Sequence, residues 1–364
     1  MKILFVNNFR GRGGGEEFLN DLLPGLVQKD VTVGLVCRPG TPLEQIFQGS
    51  GVNVYPIERS GLGFFTSVFR IAKIIRRGGY EIVNIQRGHD IVQSWVASLL
   101  SFNKAVLIYT VQIAKFIRFR FLLSRMDGII TISRYIAEKI TSSAPSVKKR
   151  VSILYHGIDL SIFSPETAKS GRLRKRFGVS RDTIIIGTVG DLWKNQIEFL
   201  GALAEIRKNI SDARYALVGS YIGITQIEAF KDRAAELGLT HALLWIGRLS
   251  REEMISFYAD VDIVVGTYRN EGFGIWVLEA LAMGKPVVAF NAGGIRDSLE
   301  DCPAGVLVDG GAKEMAAEIV RIMKDKALSA TMAEAGPRWV KEKFSRERMV
   351  GDYYRFFESI KRRH

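Results

Sequence analysis

The chain is poor in the residues that hold metals and disulfides. Its 364 residues include two cysteines and four histidines. Cys37 and Cys302 stand in unrelated segments, so nothing in the sequence requires a disulfide. The histidines are scattered, without the close spacing of a zinc site, and no metal is expected. No apolar run approaches the ~20 residues of a membrane span. The opening MKILFVNN turns polar too soon for a secretory signal and reads as a buried first strand. No repeat or low-complexity segment interrupts the chain. These absences point to the cytoplasm.

What is present is the composition of a globular protein, 47% hydrophobic and 24% charged. The length exceeds one ordinary core and predicts two domains. Strand-like apolar runs alternate with helical patterns, from Ile3–Val6 to Val151–Tyr155 and again from Thr183–Val189 to Gly305–Val308. That alternation is the mark of a parallel α/β architecture. A polar stretch, Ser161 to Arg181, separates the two series. The fold class is therefore α/β, with two Rossmann-like doubly wound domains, residues 1–164 and 165–344, facing across a cleft. A C-terminal helix, 345–364, packs back on the first. Ligands of such sheets bind outside the carboxyl ends of the strands.

The most informative stretch is EGFGIWVLEALAMGKPVVAFNA, residues 271–292. Glu271 and Glu279 flank a turn, Gly272-Phe273-Gly274, that leads into an apolar helix from Ile275. The glycines let the backbone approach a ligand closely. The helix N-terminus offers unpaired N–H groups and a positive dipole end, suited to phosphate. A carboxylate ahead of such a site can accept from sugar hydroxyls, and one two turns into the helix can reach a ribose. A second glycine loop, Gly11 to Gly15, follows the first strand and suits a diphosphate. It lacks the third glycine of a dinucleotide fingerprint, and no acidic residue ends the second strand. Both observations argue against a nicotinamide dehydrogenase.

The E-x7-E frame resembles the retaining GT-B glycosyltransferases of family 4. Gly13, Gly14 and Glu16 are similar to that family's G-G-x-E. Tyr155 to Asp159 with Phe163-Ser164-Pro165 is similar to the segment joining its domains. Gly190 to Gln196 is similar to its G-R-L…K-N/G stretch, and Trp245-Ile246-Gly247-Arg248 to a strand end lining its nucleotide pocket. Three positions depart: Asp191 stands for an Arg, Gln112 for the His of T-x-H, and Gly266-Thr267 for Pro-Ser.

The resemblance implies that a sugar moves from a UDP- or GDP-linked donor to a glycan or lipid-linked acceptor, with retention and without metal or other cofactor. Glu271 and Lys194 are the implied catalytic pair, Lys194 meeting the diphosphate and Glu271 the donor sugar. Gly13, Gly14, Gly15, Gly190, Gly247, Arg248, Thr267, Gly272, Phe273, Gly274, Ile275 and Glu279 are the implied donor site, with Glu279 on the ribose. Gln112 and His89 are candidates for the sugar or acceptor. Cell-surface polysaccharide or lipopolysaccharide synthesis is the implied setting.

Charge adds a partner. Residues 1–180 hold 26 Lys and Arg against 12 Asp and Glu, a net of +14 where the whole chain carries +13. Arg70, Lys73 and Arg76 sit among apolar residues at helical spacing, and Lys115, Arg118 and Arg120 alternate with aromatics. Such interleaving predicts an anionic membrane surface, placing the protein peripherally at the inner face of the cell membrane. No nucleic-acid-binding signature accompanies it. Asp260-Val261-Asp262 imitates a D-x-D metal site but reads as the entry to a buried strand. The alternatives are a sugar-nucleotide epimerase of similar fold, or a non-catalytic carbohydrate- or nucleic-acid-binding protein.

Overall fold

The computed structural model describes all residues except 12, 59–62, 114–119, 168–170 and 222–223, and the side chains of 120 and 224. The chain forms two compact units, Met1–Gly157 with Arg346–His364, and Ile158–Ser345.

In the first unit the apolar runs become β1 (Lys2–Asn7), β2 (Thr32–Cys37), β3 (Asn53–Pro56), β4 (Ile82–Ile85), β5 (Val106–Val111), β6 (Gly128–Thr131) and β7 (Val151–Ile153). The helices between them are α1 (Gly14–Val27), α2 (Pro42–Phe47), α3 (Gly63–Gly78), α4 (Ile91–Ser101), α5 (Arg120–Leu123) and α6 (Arg134–Ser143). All strands are parallel, in the order β3-β2-β1-β4-β5-β6-β7. Runs such as Ile3–Val6 are fully buried because helices cover both faces of a parallel sheet.

The second unit holds α7 (Arg172–Phe177), β8 (Ile185–Val189), α8 (Glu198–Arg207), β9 (Arg214–Val218), α9 (Ile224–Glu236), β10 (Leu243–Gly247) and α10 (Arg251–Asp260). It continues with β11 (Ile263–Gly266), α11 (Ile275–Ala282), β12 (Val287–Phe290), α12 (Ile295–Leu299), β13 (Gly305–Val308), α13 (Ala312–Lys324) and α14 (Lys326–Lys343). Its parallel order is β10-β9-β8-β11-β12-β13. In each sheet the strand order reverses once, between β1 and β4 and between β8 and β11. Those reversal points, at the carboxyl ends, are where doubly wound sheets open a crevice.

The first unit ends earlier than the 164 expected from sequence. Ile158 is buried, bridges to Ser345 and donates its N–H to the Phe344 carbonyl at 3.0 Å, while Phe163 packs edge-on to Tyr258. Those contacts place 158–164 with the second unit. The final helix, α15 (Arg346–Lys361), belongs to the first. Phe357 meets Phe5 edge-on, Arg346 donates to the Asp21 carbonyl at 3.0 Å, and Lys361 pairs with Glu81. The division also sorts charge. The first unit holds 27 basic against 13 acidic residues, a net of +14, and the second nets −1.

Candidate active site

The second unit's reversal point brings together loops that are distant in sequence. After β8 the backbone turns at Gly190, and a Cβ on Gly219 would lie 2.2 Å from the Gly190 oxygen. Only glycine allows that approach. Asp191 accepts from the Ser220 N–H at 2.7 Å and from Trp193 Nε1 at 3.3 Å, which pins the turn. Gln196 Nε2 donates to the Gly190 carbonyl at 2.5 Å. The loop so held carries Lys194 toward the end of β11.

There Lys194 Nζ meets Glu271 Oε2 at 2.8 Å. Both side chains are largely buried, 24% and 15% exposed, so water screens the pair only in part. Trp193 and Tyr268 lie edge-on with centroids 5.3 Å apart, and each ring centroid is 5.8 Å from the Lys194 ammonium. Thr188, Gln196, Thr267 and Trp276 complete the pocket wall around the ion pair. Glu271 Oε1 accepts from the Gly272 N–H at 3.2 Å, and the loop after β12 donates Gly294 N–H to the Glu271 carbonyl at 2.8 Å. Gly274, at φ +83°, is the left-handed cap from which α11 starts. The first N–H groups of α11 thus lie just past the Glu271 turn.

Phe273 does not face the pocket. Its ring is buried edge-on against Phe344, which leaves only its backbone for a ligand. Ile275 opens α11, and Arg248 is exposed just past Gly247 at the end of β10. Glu279 is half-buried on α11 and accepts from the Tyr258 hydroxyl at 2.8 Å.

The first unit's reversal point is also polar. Glu16, in the first turn of α1 and buried, accepts from Asn7 Nδ2 at 3.1 Å and from Arg87. The Arg87 guanidinium lies 4.2 Å from the centroid of the Phe9 ring. Asp90, fully buried, accepts from Asn8 N and Nδ2 at 3.1 and 3.3 Å. His89 is half-exposed and 3.5 Å from that carboxylate. Gln112 Nε2 donates to Gln86 Oε1 at 2.9 Å, Gln86 donates to Asn84 Oδ1, and Thr110 donates to the same oxygen at 3.1 Å. This amide ladder runs across β4 and β5 and ends on Gln112 beside Gly15.

Two family models account for most of the chain. Glycosyltransferase Family 4 matches residues 12–162, and Glycosyl transferases group 1 matches 170–339. The chain belongs to the GT-B glycosyltransferases of family 4.

Among its relatives is a D-inositol 3-phosphate glycosyltransferase of Corynebacterium urealyticum, 30% identical over 201 residues, 53% of this chain and 47% of that protein. A GDP-mannose-dependent alpha-(1-6)-phosphatidylinositol monomannoside mannosyltransferase of Mycolicibacterium smegmatis is 29% identical over 224 residues, 58% of this chain and 57% of that one. The match spans about half the length of these relatives. The crystal structure of Anabaena HepE in complex with UDP and glucose shares the fold, with a TM-score of 0.83 at 21% identity over 99% of this chain and 100% of that one.

The two aspartates of the D-x-D in this family-4 chain are structural. Asp260 accepts from Gly171 N and from Leu173 N at 2.7 Å and so caps α7, while Asp262 pairs with Arg174 at 3.0 Å and accepts from Ile185 N at 2.7 Å. Burial nonetheless pushes the Asp262 carboxyl above its ordinary range. Among the described residues no group of three His, Cys, Asp or Glu is placed to hold a metal, and no helix is long and apolar enough to cross a membrane. Arg70, Lys73 and Arg76 are exposed on α3. Lys115 and Arg118 lie outside the described residues, as does the side chain of Arg120.

Sequence reasoning missed Tyr258, Asn7, Gln86 and Arg87. Asn7 ends β1, and Gln86 and Arg87 directly follow β4, so polar residues at the end of an apolar run were the available signal.

Proposed function

We propose that this glycosyltransferase moves a sugar from a UDP- or GDP-linked donor to a glycan or lipid-linked acceptor, with retention of anomeric configuration. The observation that carries the reading is the Lys194–Glu271 pair at the β8/β11 reversal point, next to the start of α11. Lys194 and the α11 N–H groups stabilise the leaving diphosphate, the charge-stabilising role that usually dominates such catalysis. Glu271 accepts from donor-sugar hydroxyls and favours positive charge developing at the ring. Glu279 holds the ribose. The leaving phosphate takes the acceptor's proton in a front-side attack, so no protein base is needed and Gln112 is tolerable where the family has His. Positive charge from Lys194 and the helix also removes the need for a divalent cation.

The first unit holds the acceptor at its own polar reversal point, where Gln112 and His89 stand and where Gly13 to Gly15 lead into α1. Its +14 charge supports work at the inner face of the cell membrane, in polysaccharide or lipopolysaccharide synthesis. The two relatives whose names specify an inositol phosphate and a phosphatidylinositol mannoside support an acceptor with an anionic group.

Thermal unfolding with a series of nucleoside diphosphates tests the donor. At ~100 times its dissociation constant a ligand adds about 2.7 kcal/mol, a clear rise in melting temperature. If none of the series moves the transition, the reading of a nucleoside-diphosphate-linked donor fails.

A further inference from the structure

We infer that the outer face of α3 and α4 is the docking surface for an anionic lipid bilayer, held by inserted aromatic rings as well as by charge. The inference rests on the membrane-side reading above and places it on particular side chains.

The strand order carries the chain from β3 across to β4 and on to β5, so right-handed connections put both helices on one side of the sheet. They lie side by side. Gln93, early in α4, donates to Ser67, early in α3. Asn103, just past α4, donates to the carbonyls of Ile75 and Tyr80 at 3.4 and 2.9 Å. Val68, Ile71, Ile75 and Ala97 turn inward and are buried.

The outward side is unusual for a soluble surface. Phe65 and Phe69, one turn apart, are 67% and 64% exposed, and Phe102, just past α4, is 82% exposed with Leu99 and Leu100 beside it. Of eleven large hydrophobic side chains exposed among the described residues, five lie on α3, on α4 or just past it, so the exposure is concentrated on this helix pair.

Charge complementarity selects the occupant. Arg70, Lys73, Arg76 and Arg77 are exposed along α3 and Lys104 follows α4, while neither helix carries an Asp or Glu. The stems of Arg70 and Lys73 line an apolar groove with Val54, Pro56 and Ile57 of the sheet edge. Long basic side chains laid over apolar surface, beside aromatic rings, suit the headgroup region of a bilayer: the rings enter the acyl boundary and the cations meet lipid phosphates.

The test uses the full chain sedimented with vesicles of equal parts phosphatidylglycerol and phosphatidylcholine, and with phosphatidylcholine alone, at low and high salt. Binding to the anionic vesicles is expected. It should weaken about fivefold per cation removed in Arg70→Ser/Lys73→Ser/Arg76→Ser, and roughly tenfold per ring in Phe65→Ser/Phe69→Ser/Phe102→Ser. Tryptophan emission from Phe102→Trp should gain a blue-shifted component on anionic vesicles. No binding by the wild type, undiminished binding by either triple variant, or loss of a dimer in the Phe variant with vesicle binding intact would overturn the proposal. Melting shifts with nucleoside diphosphates, measured on the same variants, separate a failure of docking from a failure of the donor reading.

Discussion

The hydroxyl of Tyr258 donates to Oε2 of Glu279 at 2.8 Å from a fully buried position and lies 3.3 Å from the Trp276 carbonyl. Burial, and next the neighbouring carboxylate, hold this phenol well above its ordinary pKa, so it remains a donor at any working pH. It therefore aims the carboxylate proposed to hold the ribose. Tyr258→Phe keeps the shape and removes the bond. Since a hydrogen bond to a charged group contributes about 1.5–3 kcal/mol, nucleoside diphosphate affinity should fall roughly tenfold or more by calorimetry, and at least as far in Glu279→Ala. Wild-type affinity in both variants would remove Glu279 from the ribose.

Glu271 and Lys194 divide differently. The interaction proposed for Glu271 grows as charge develops at the sugar ring, so Glu271→Ala should lower kcat by about 100-fold or more and donor KM little. Lys194→Ala removes a contact to the diphosphate in both ground and transition states and should raise donor KM as well. Steady-state kinetics separates them. A Glu271→Ala enzyme with normal kcat and raised KM would reverse the assignment.

Much of this was legible before the structure. Continuous apolar runs placed the strands, because a parallel sheet buried on both faces leaves nothing else to write there. The Lys194–Glu271 meeting was implied only by resemblance, since 77 residues separate the two and local pattern cannot bring them together. The first-unit boundary was misplaced because the polar 161–181 stretch looked like a linker. It contains α7, whose charged sequence carries no apolar periodicity and whose start is capped by the distant Asp260. Phe273 entered the implied donor site by resemblance, and local sequence carries no sign that its ring is buried edge-on against the distant Phe344. The aromatic start of α3 was missed, as the helical spacing read from sequence ran over Arg70 to Arg76 and left out Phe65.

Gly15 has a steric role that its place in a glycine loop concealed. A Cβ there would lie 2.0 Å from Gln112 Oε1, so Gly15→Ala must displace the end of the amide ladder. If Gln112 contacts sugar, Gly15→Ala should lower kcat/KM about as far as Gln112→Ala, and the double variant little further. The double-mutant cycle measures this coupling. Additive losses would mean that the two residues act separately.

Acid stability gives a last test, away from the site. His156 is buried and stacked on Phe18, with centroids 4.4 Å apart, and burial pushes its imidazole down to about 3 from an ordinary 6.5. Between those values the unfolded chain binds a proton that the folded chain refuses. Stability is therefore full above about pH 6.5 and is lost progressively as the pH falls toward 3. Urea unfolding across that window should show one proton more taken up on unfolding by the wild type than by His156→Phe, which keeps the stack and cannot titrate. Equal slopes in the two proteins would place the acid sensitivity elsewhere.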